Sequence, residues 1–359
     1  MQDKSFKMPK VNEFRIIFEK SLQNIKERTG DEDDTKRCII LSGGVDTCAI
    51  LSAASKINMK FHSAITVITN NDDSHVSPDK EYAIAAAKQY NIKNHHIINL
   101  SPKELIDIYL PTCVKLLNCF DGMTLRNSLV IAAAFQEASN QGCNHAIVGD
   151  GADELFGGYS FMWGEADNPV KWKEKRDSMC RKWTFATETL GEHYGITAYS
   201  PYMECEMVEW ALANTQREDC IAERPIQLIY NGEYKNHITG KVILREAYNT
   251  TSSWRRKDPI EVGSGVTVIG HDEYWKDILS DEEFSHEKKE LFERGFDIKS
   301  KEHLVNFRVF EKVFGKDGCH FSKERLGLGE GCIGCCFVIG DEMFCHVCGS
   351  YPAPRHKQH

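Results

Sequence analysis

Residues 38–47 read CIILSGGVDT: a short, wholly apolar run that ends in Ser42-Gly43-Gly44 and opens into the helix-like CAILSAASK at 48–56. An apolar run this short and without alternation predicts a strand from Cys38 to Leu41, buried on both faces. Glycines directly after such a strand let the backbone approach an anion, and the helix behind them presents unpaired N–H groups and a positive dipole end. Ser42 and Thr47 add hydroxyl donors. Asp46 is the odd member, because a carboxylate in an anion cradle repels phosphate unless a cation lies between them; it points to Mg²⁺. Taken alone, the glycine pair reads as a tight strand-to-helix turn.

Outward from this stretch the chain alternates. Upstream, Phe14, Ile17, Phe18, Leu22 and Ile25 fall at helical spacing before the acidic GDEDD run at 30–34. Downstream come strand-like FHSAITVIT at 61–69, helical EYAIAAAKQY at 81–90, strand-like HHIINL at 95–100, helical segments at 102–117 and 127–141, and strand-like HAIVGD at 145–150. The order predicts an α/β fold with a parallel twisted sheet and helices on both faces. From about residue 165 strand signals thin, and KWKEKRDSMCRKW, CEMVEWALAN and KVILREAY read as helices of a mostly helical second lobe. The expected organisation is an N-terminal helix and acidic linker over 1–37, an α/β core over 38–164, a helical lobe over 165–316 and a Cys-rich tail over 317–359.

The chain has 359 residues, room for one large or two ordinary domains, with 41% hydrophobic and 27% charged side chains. Its 44 basic and 53 acidic residues give a net charge of −9, which opposes unspecific attraction to nucleic acid or anionic lipid and favours a small-molecule or protein substrate. No apolar run has the length of a bilayer span. The opening MQDKSFKMPKVNEF lacks an apolar core behind a basic flank, so the expected location is cytoplasmic.

A second loop, GDGADELFGGY at 149–159, also follows a predicted strand and sets Asp150, Asp153 and Glu154 among four glycines. In a parallel sheet ligands bind beyond the carboxyl ends of the strands, so both loops should face one crevice. The acids of the second supply candidates for a metal ligand and a general base.

These motifs resemble a known family. SGGVDT at 42–47 is similar to the pyrophosphate loop of the N-type ATP pyrophosphatases, and GDGADELFGGY to the second signature of the asparagine synthetase and β-lactam synthetase branch. GITAYSPYMECEMVEWALA at 195–213, GKVILREAY at 240–248, WRRKDPIEVGSGV at 254–266 and SKEHLVNFRVFEKVFG at 300–315 follow in the family's order. The resemblance covers roughly residues 12–316 and implies an adenine nucleotide alpha-hydrolase-like fold and an ATP-dependent amide ligase. In such a ligase a carboxylate is adenylated with release of pyrophosphate, and ammonia or an amine then displaces AMP.

By position, the resemblance assigns Mg²⁺ to Asp46 and Asp153, and ATP and its pyrophosphate to Leu41, Ser42, Gly43, Gly44, Val45, Asp46, Thr47, Gly149 and Gly151. Lys257 matches a lysine that stabilises the developing charge. Asp150 stands where asparagine synthetases carry Glu and β-lactam synthetases Tyr, a shorter carboxylate able to orient or deprotonate the nucleophile. Thr124, Arg126 and Glu154 are the expected substrate-binding residues.

The departures shape the expectation too. No nucleophilic cysteine follows Met1 and no glutaminase-sized stretch precedes residue 38, so nitrogen is expected from ammonia, an amine substrate or a separate nitrogen-donor protein. The usual Thr-Ile-Arg-Ala-Ser-Thr reads Thr124-Leu125-Arg126-Asn127-Ser128-Leu129, and the usual Arg-Val-Pro-Phe-Leu-Asp reads Tyr199-Ser200-Pro201-Tyr202-Met203-Glu204. Changed polar groups in a hydrogen-bonding site discriminate strongly, so a carboxylate other than aspartate is expected.

Six of the 14 cysteines fall from Cys319 onward. Cys332-x2-Cys335 and Cys345-x2-Cys348 form a double C-x2-C that suits tetrahedral Zn²⁺, structural in kind because four sulfurs leave no open position. Gly334 and Gly349 would let the backbone turn toward the metal; Cys336, His346, Cys319 and His320 are alternates, and metal-free buried thiols are the plainer reading. The asparagine synthetase pattern has no such tail. Zinc-bearing tails of deazaguanine nitrile synthases and tRNA thiolation enzymes keep a nucleobase or tRNA substrate as the alternative, and a non-catalytic partner subunit as a second. The basic Arg355-His356-Lys357 is too little to claim RNA. His95-His96 reads as a partly exposed turn before a strand, and KWKEKRDSMCRKW as a solvated helix with aromatic anchors. Self-association stays open.

Overall fold

β1 (Arg37–Ile40), β2 (Ser63–Ile68), β3 (His95–Asn99), β4 (His145–Ile147) and β5 (Thr197–Tyr199) form one sheet in the order β3-β2-β1-β4-β5. Parallel pairing sets Cys38 opposite Ser63 and Ala146, and Ala146 opposite Ala198. This computed structural model describes residues 8–30, 36–70, 77–164, 168–250 and 252–354. Most of the acidic run at 30–34 and the basic Arg355-His356-Lys357 lie outside the described residues. Cys38, Ile39 and Leu41 are buried, as the unalternating apolar run predicts, and so is every residue of β2, so side chains on both faces are covered.

Contacts gather the chain into two compact units, both discontinuous in sequence. The first comprises Met1–Ile68, Val76–Ile98 and Ala134–Ser264; the second comprises Thr69–His75, Asn99–Ala133 and Gly265–His359. In the first unit the helix Met8–Thr29 buries Val11, Phe14, Phe18, Leu22 and Ile25 at three- and four-residue spacing. Phe14 and Phe18 stack at 5.3 Å and meet Phe156, Tyr202 and Tyr248. The helix Val45–Lys56 buries Val45, Cys48, Ala49, Ile50 and Ala53.

Three strands lie in the stretch read as mostly helical. β5 has three residues, too few for alternation to register. β6 (Ala222–Gln227) and β7 (Tyr234–Thr239) form a separate antiparallel hairpin whose first strand holds Pro225 and whose second is almost wholly exposed, so neither carries an apolar pattern. His95-His96 opens β3 instead of preceding it, with His95 Nε2 2.8 Å from Thr66 Oγ1. The basic stretch is the helix Pro169–Lys182, but its Arg176 is buried with Trp172 and donates to the carbonyls of Ala211, Leu212 and Thr215.

In the second unit a capping box between Ser101 and Glu104 starts the helix Pro102–Leu117, which packs on the helix Lys301–Phe314. Phe120, Phe296, Phe307 and Phe310 form an aromatic core that Phe321 and Phe337 of the Cys-rich stretch join. Buried Phe337 and half-buried Phe321 are worth at most about 1.5–3 kcal/mol each, against about 1–2 kcal/mol for ordering each residue's backbone. Residues from Cys319 on therefore need a further source of order. Among the described residues no helix is long and apolar enough to cross a membrane.

Candidate functional site

The chain runs from β1 out through β2 and β3 and returns to β4 on the other side of β1, so the carboxyl ends of β1 and β4 mark where the strand order reverses. Both glycine loops leave from there. Leu41 is held by its N–H to the Ile65 carbonyl (2.8 Å), and Ser42 Oγ accepts from the Gly44 N–H at 3.2 Å. Gly43 has φ +68, and a Cβ on it would lie 2.4 Å from the Ala83 nitrogen. The helix Val45–Lys56 then places Asp46 in its first turn and buries Thr47.

Asp46 meets Asp153 across a lysine. Lys241, buried and left-handed at φ 59, sets its Nζ 2.6 Å from Asp46 Oδ2 and 2.8 Å from Asp153 Oδ1. Lys257 Nζ lies 3.4 Å from the same Asp153 oxygen and 5.3 Å over the Tyr159 ring. Gly158 permits the approach: a Cβ there would stand 1.8 Å from Asp153 Oδ1 and 2.4 Å from Lys241 Cε. Two carboxylates thus face two ammonium groups. Burial raises the Asp46 pKa against the pull of Lys241; at Asp153 burial acts the same way, but Lys241 and Lys257 outweigh it and leave the carboxyl below its ordinary value. Burial opposes the charge of Lys241, yet Asp153 and Asp46 keep its pKa raised. Asp46 Oδ1 is buried with no hydrogen-bond partner among the described residues, an oxygen available to a hard cation, and the all-oxygen set fits Mg²⁺.

Asp150 has no lysine neighbour of this kind among the described residues; its Oδ2 accepts from the Thr187 hydroxyl, and burial raises its pKa to about 6. That value suits a general base near neutral pH. Glu154 is buried, accepts from Tyr159 OH at 2.6 Å, and has its pKa raised by burial. Gly151 takes φ +88 at the start of the helix Ala152–Phe156, which bears Asp153 and Glu154.

Three contacts were not foreseen. Lys241 lies inside the quoted GKVILREAY, so its motif was visible, but nothing local to it shows that it bridges two distant carboxylates. The other two are residues that depart from the family pattern: Ser200 Oγ donates to the Asp150 carbonyl (2.6 Å) and Tyr202 OH to the Asp46 carbonyl (2.9 Å). These hydroxyls hold the backbones of the two loops.

Thr124 and Arg126 belong to the second unit. The Thr124 N–H donates to Asp121 Oδ2 at 2.9 Å, and Arg126 Nη1 pairs with Glu302 Oε2 at 2.5 Å. Burial lifts the Glu302 pKa to about 7 against the opposing effect of Arg126.

The Sγ atoms of Cys332, Cys335, Cys345 and Cys348 lie within 4.8 Å of one another, all four residues being buried. Cys332 and Cys348 are 3.6 Å apart and Cys335 and Cys345 3.7 Å. Each pair folds as a knuckle, with Cys336 N–H to the Cys332 carbonyl (2.9 Å) and Gly349 N–H to the Cys345 carbonyl (2.8 Å). The residue after each pair is left-handed, Cys336 at φ 61 and Gly349 at φ 76. Of the alternates, Cys336 turns to the Gly295 carbonyl, Cys319 to that of Phe314, and exposed His346 lies 3.6 Å from Glu342. This cluster can hold a metal ion. Hydrogen bonding among the sulfurs lowers the pKa of Cys332 and raises that of Cys335, since four thiolates cannot coexist here without a cation.

A sequence profile described as asparagine synthase matches residues 22–216, more than half of the chain. A probable glutamine-hydrolysing asparagine synthetase of Dictyostelium discoideum is 23% identical over 319 residues, covering 80% of this chain and 53% of that protein. Another such probable synthetase, from Acanthamoeba polyphaga mimivirus, is 30% identical over 218 residues, covering 58% and 36%. The chain spans about half the length of the first curated relatives it matches. Among solved structures, the U34-tRNA thiolase NcsA of Methanococcus maripaludis with its 4Fe–4S cluster aligns at 14% identity and a TM-score of 0.34, covering 81% of each chain. A score that low carries no argument.

Proposed function

The chain belongs to the asparagine synthase family, and on that premise we propose that it is an ATP-dependent, AMP-forming amide ligase for a small carboxylate and ammonia or an amine. The observation that carries this reading is the meeting of Asp46, Asp153, Lys241 and Lys257 at the carboxyl ends of β1 and β4. The N–H groups of Ser42–Thr47 and the helix behind them bind the pyrophosphate end of ATP. Asp46 and Asp153 would hold Mg²⁺, which when bound offsets the charge of the phosphates beside them. The substrate carboxylate attacks the α-phosphorus; the bond to the β-phosphate oxygen breaks and pyrophosphate leaves. Thr124, Arg126 and Glu154 are the carboxylate-binding residues that the family resemblance implies. Lys257 faces the charge that grows on those oxygens. Ammonia or an amine, from solution or a separate donor protein, then attacks the acyl carbon; AMP departs, and Asp150 takes the proton from nitrogen.

The four-cysteine centre is read as a structural zinc site. Zinc–sulfur bonds of about 2.3 Å in a tetrahedron put sulfurs about 3.8 Å apart, close to the observed separations. Thiolates on the corners of a four-iron cluster must stand farther apart, since iron and sulfide lie between them. A cytoplasmic setting, which keeps such thiols reduced, goes with this reading.

The test is turnover with ATP and Mg²⁺ against a panel of carboxylates, with ammonium or amines as nucleophiles. AMP and pyrophosphate are the expected products; ADP and phosphate would overturn the reading. Lys257→Ala is expected to lower kcat by about 10²–10³-fold, the scale of one lost electrostatic donor, with ATP binding nearly kept.

A further inference from the structure

Taking the ligase reading for the role of residues 124–126, we propose that the four-cysteine centre positions that segment. Its second knuckle, Cys345–Gly349, grips the start of the helix Gly122–Asn140 through Phe120 and Asp121.

Asp121 caps this helix. Its Oδ2 accepts from the Thr124 N–H at 2.9 Å and its carbonyl from the Leu125 N–H at 3.1 Å. The knuckle touches both cap residues. The Phe120 N–H donates to the Val347 carbonyl at 2.7 Å, and Gly349 lies so close to Asp121 that a Cβ on it would stand 2.0 Å from Oδ1. Val347 sits between Cys345 and Cys348, and Gly349 follows Cys348, so both tethers are aimed by the cluster's own sulfurs. Water cannot replace the first, because Phe120 is fully buried, stacked on His303 at 5.0 Å and set edgewise on Phe307 and Phe310. The far side of the segment is fixed by Glu302, the neighbour of His303, which pairs with Arg126. With the sulfurs held, the cap at Asp121 and the guanidinium of Arg126 are fixed in one frame; with the knuckle loose, the Phe120 N–H loses its acceptor and the first turn is freed.

Hydrogen exchange on the full chain tests this, with Gly349→Ala as the variant because it strains the left-handed end of the knuckle, presses on Asp121 and keeps all four cysteines. The expected result is a retained metal content, exchange over residues 118–129 faster by about tenfold, the scale of a lost cap, and no change over 42–47 and 149–158. Asp121→Asn keeps an acceptor for the Thr124 N–H and should stay near the parent rate, whereas Asp121→Ala should match Gly349→Ala. Stripping the metal with a chelator under reducing conditions should give the same local acceleration. Unchanged exchange over 118–129 in Gly349→Ala, whatever Asp121→Ala does, would overturn the proposal. None of these readings needs turnover, so they are decided even if the ligase reading fails. Where that reading yields a working carboxylate, Gly349→Ala should raise its KM by about tenfold and leave the KM for ATP alone; an unchanged carboxylate KM beside faster exchange would break the link to substrate.

Discussion

The charged cluster of the first unit joins residues far apart in sequence and the sulfur cluster of the second joins two knuckles of one short stretch, and they differ in who supplies the counter-charge. Asp46 and Asp153 face Lys241 and Lys257, so the chain balances that site by itself. The four sulfurs are hydrogen-bonded to one another, to the Gly334 N–H and to the Ser350 hydroxyl, none of which carries a positive charge. A site with built-in counter-ions is formed before its ligand arrives and can release it. A site without them depends on its cation for its shape.

The largest effect should come from removing the cation where nothing replaces it. Structural zinc supplies about 10–16 kcal/mol of apparent free energy to small zinc domains, against about 5–15 kcal/mol for the whole stability of a typical domain. Chelation, or Cys345→Ser with Cys348→Ser, should open the chain from about Cys319 onward to protease while ATP still protects residues 42–56. Metal analysis of reduced, chelator-free protein should find about one zinc per chain; none at all would remove one side of the contrast.

Removing the built-in counter-ion of the other site should cost less. Lys241→Met leaves Asp46 and Asp153 facing each other with one lysine, and breaking a buried pair costs about 3–5 kcal/mol; their partial exposure places this at about 3 kcal/mol. Urea unfolding at neutral pH reads the loss, and added Mg²⁺ should restore part of it. Parent-like stability in Lys241→Met without Mg²⁺ would show that the first site is not balanced by its own lysines.

The smallest effect on stability concerns Asp150, which like Glu154 is bonded to a hydroxyl and not to a lysine. Its pKa rises from 3.8 to about 6 on folding, so the folded chain holds a proton that the unfolded chain has released. That contribution to stability is complete below pH 3.8 and is lost as the pH rises through about 6; Asp150→Asn should flatten this part of the stability profile. Activity should run the opposite way, since the base works only as a carboxylate: kcat/KM should climb through about pH 6, and Asp150→Asn should remove that limb along with most of the rate. A limb unmoved in Asp150→Asn would assign the base elsewhere.

Much of the fold was legible because the strongest signals are local. The apolar run at β1, the glycines behind it and the three- and four-residue spacing in the first helix each mark an element without help from the rest of the chain. β5, β6 and β7 were not legible: three residues cannot show alternation, and an exposed hairpin carrying Pro225 has no apolar face to show. The double C-x2-C was legible as a metal motif, and proximity separates its four sulfurs from Cys336, Cys319 and His346.

The sequence by itself determined the alternation that makes the sheet, the two glycine loops with their acids, and the paired cysteines, because these depend on residues within a few positions of one another. Only the tertiary structure decided that Lys241 bridges Asp46 and Asp153, that Ser200 and Tyr202 hold the loop backbones, and that the second knuckle seats Phe120 and Asp121. Each of those contacts joins residues from about fifty to about two hundred and thirty positions apart, where the chain's own periodicity carries no information and burial of unpaired charge and polar groups selects the partner.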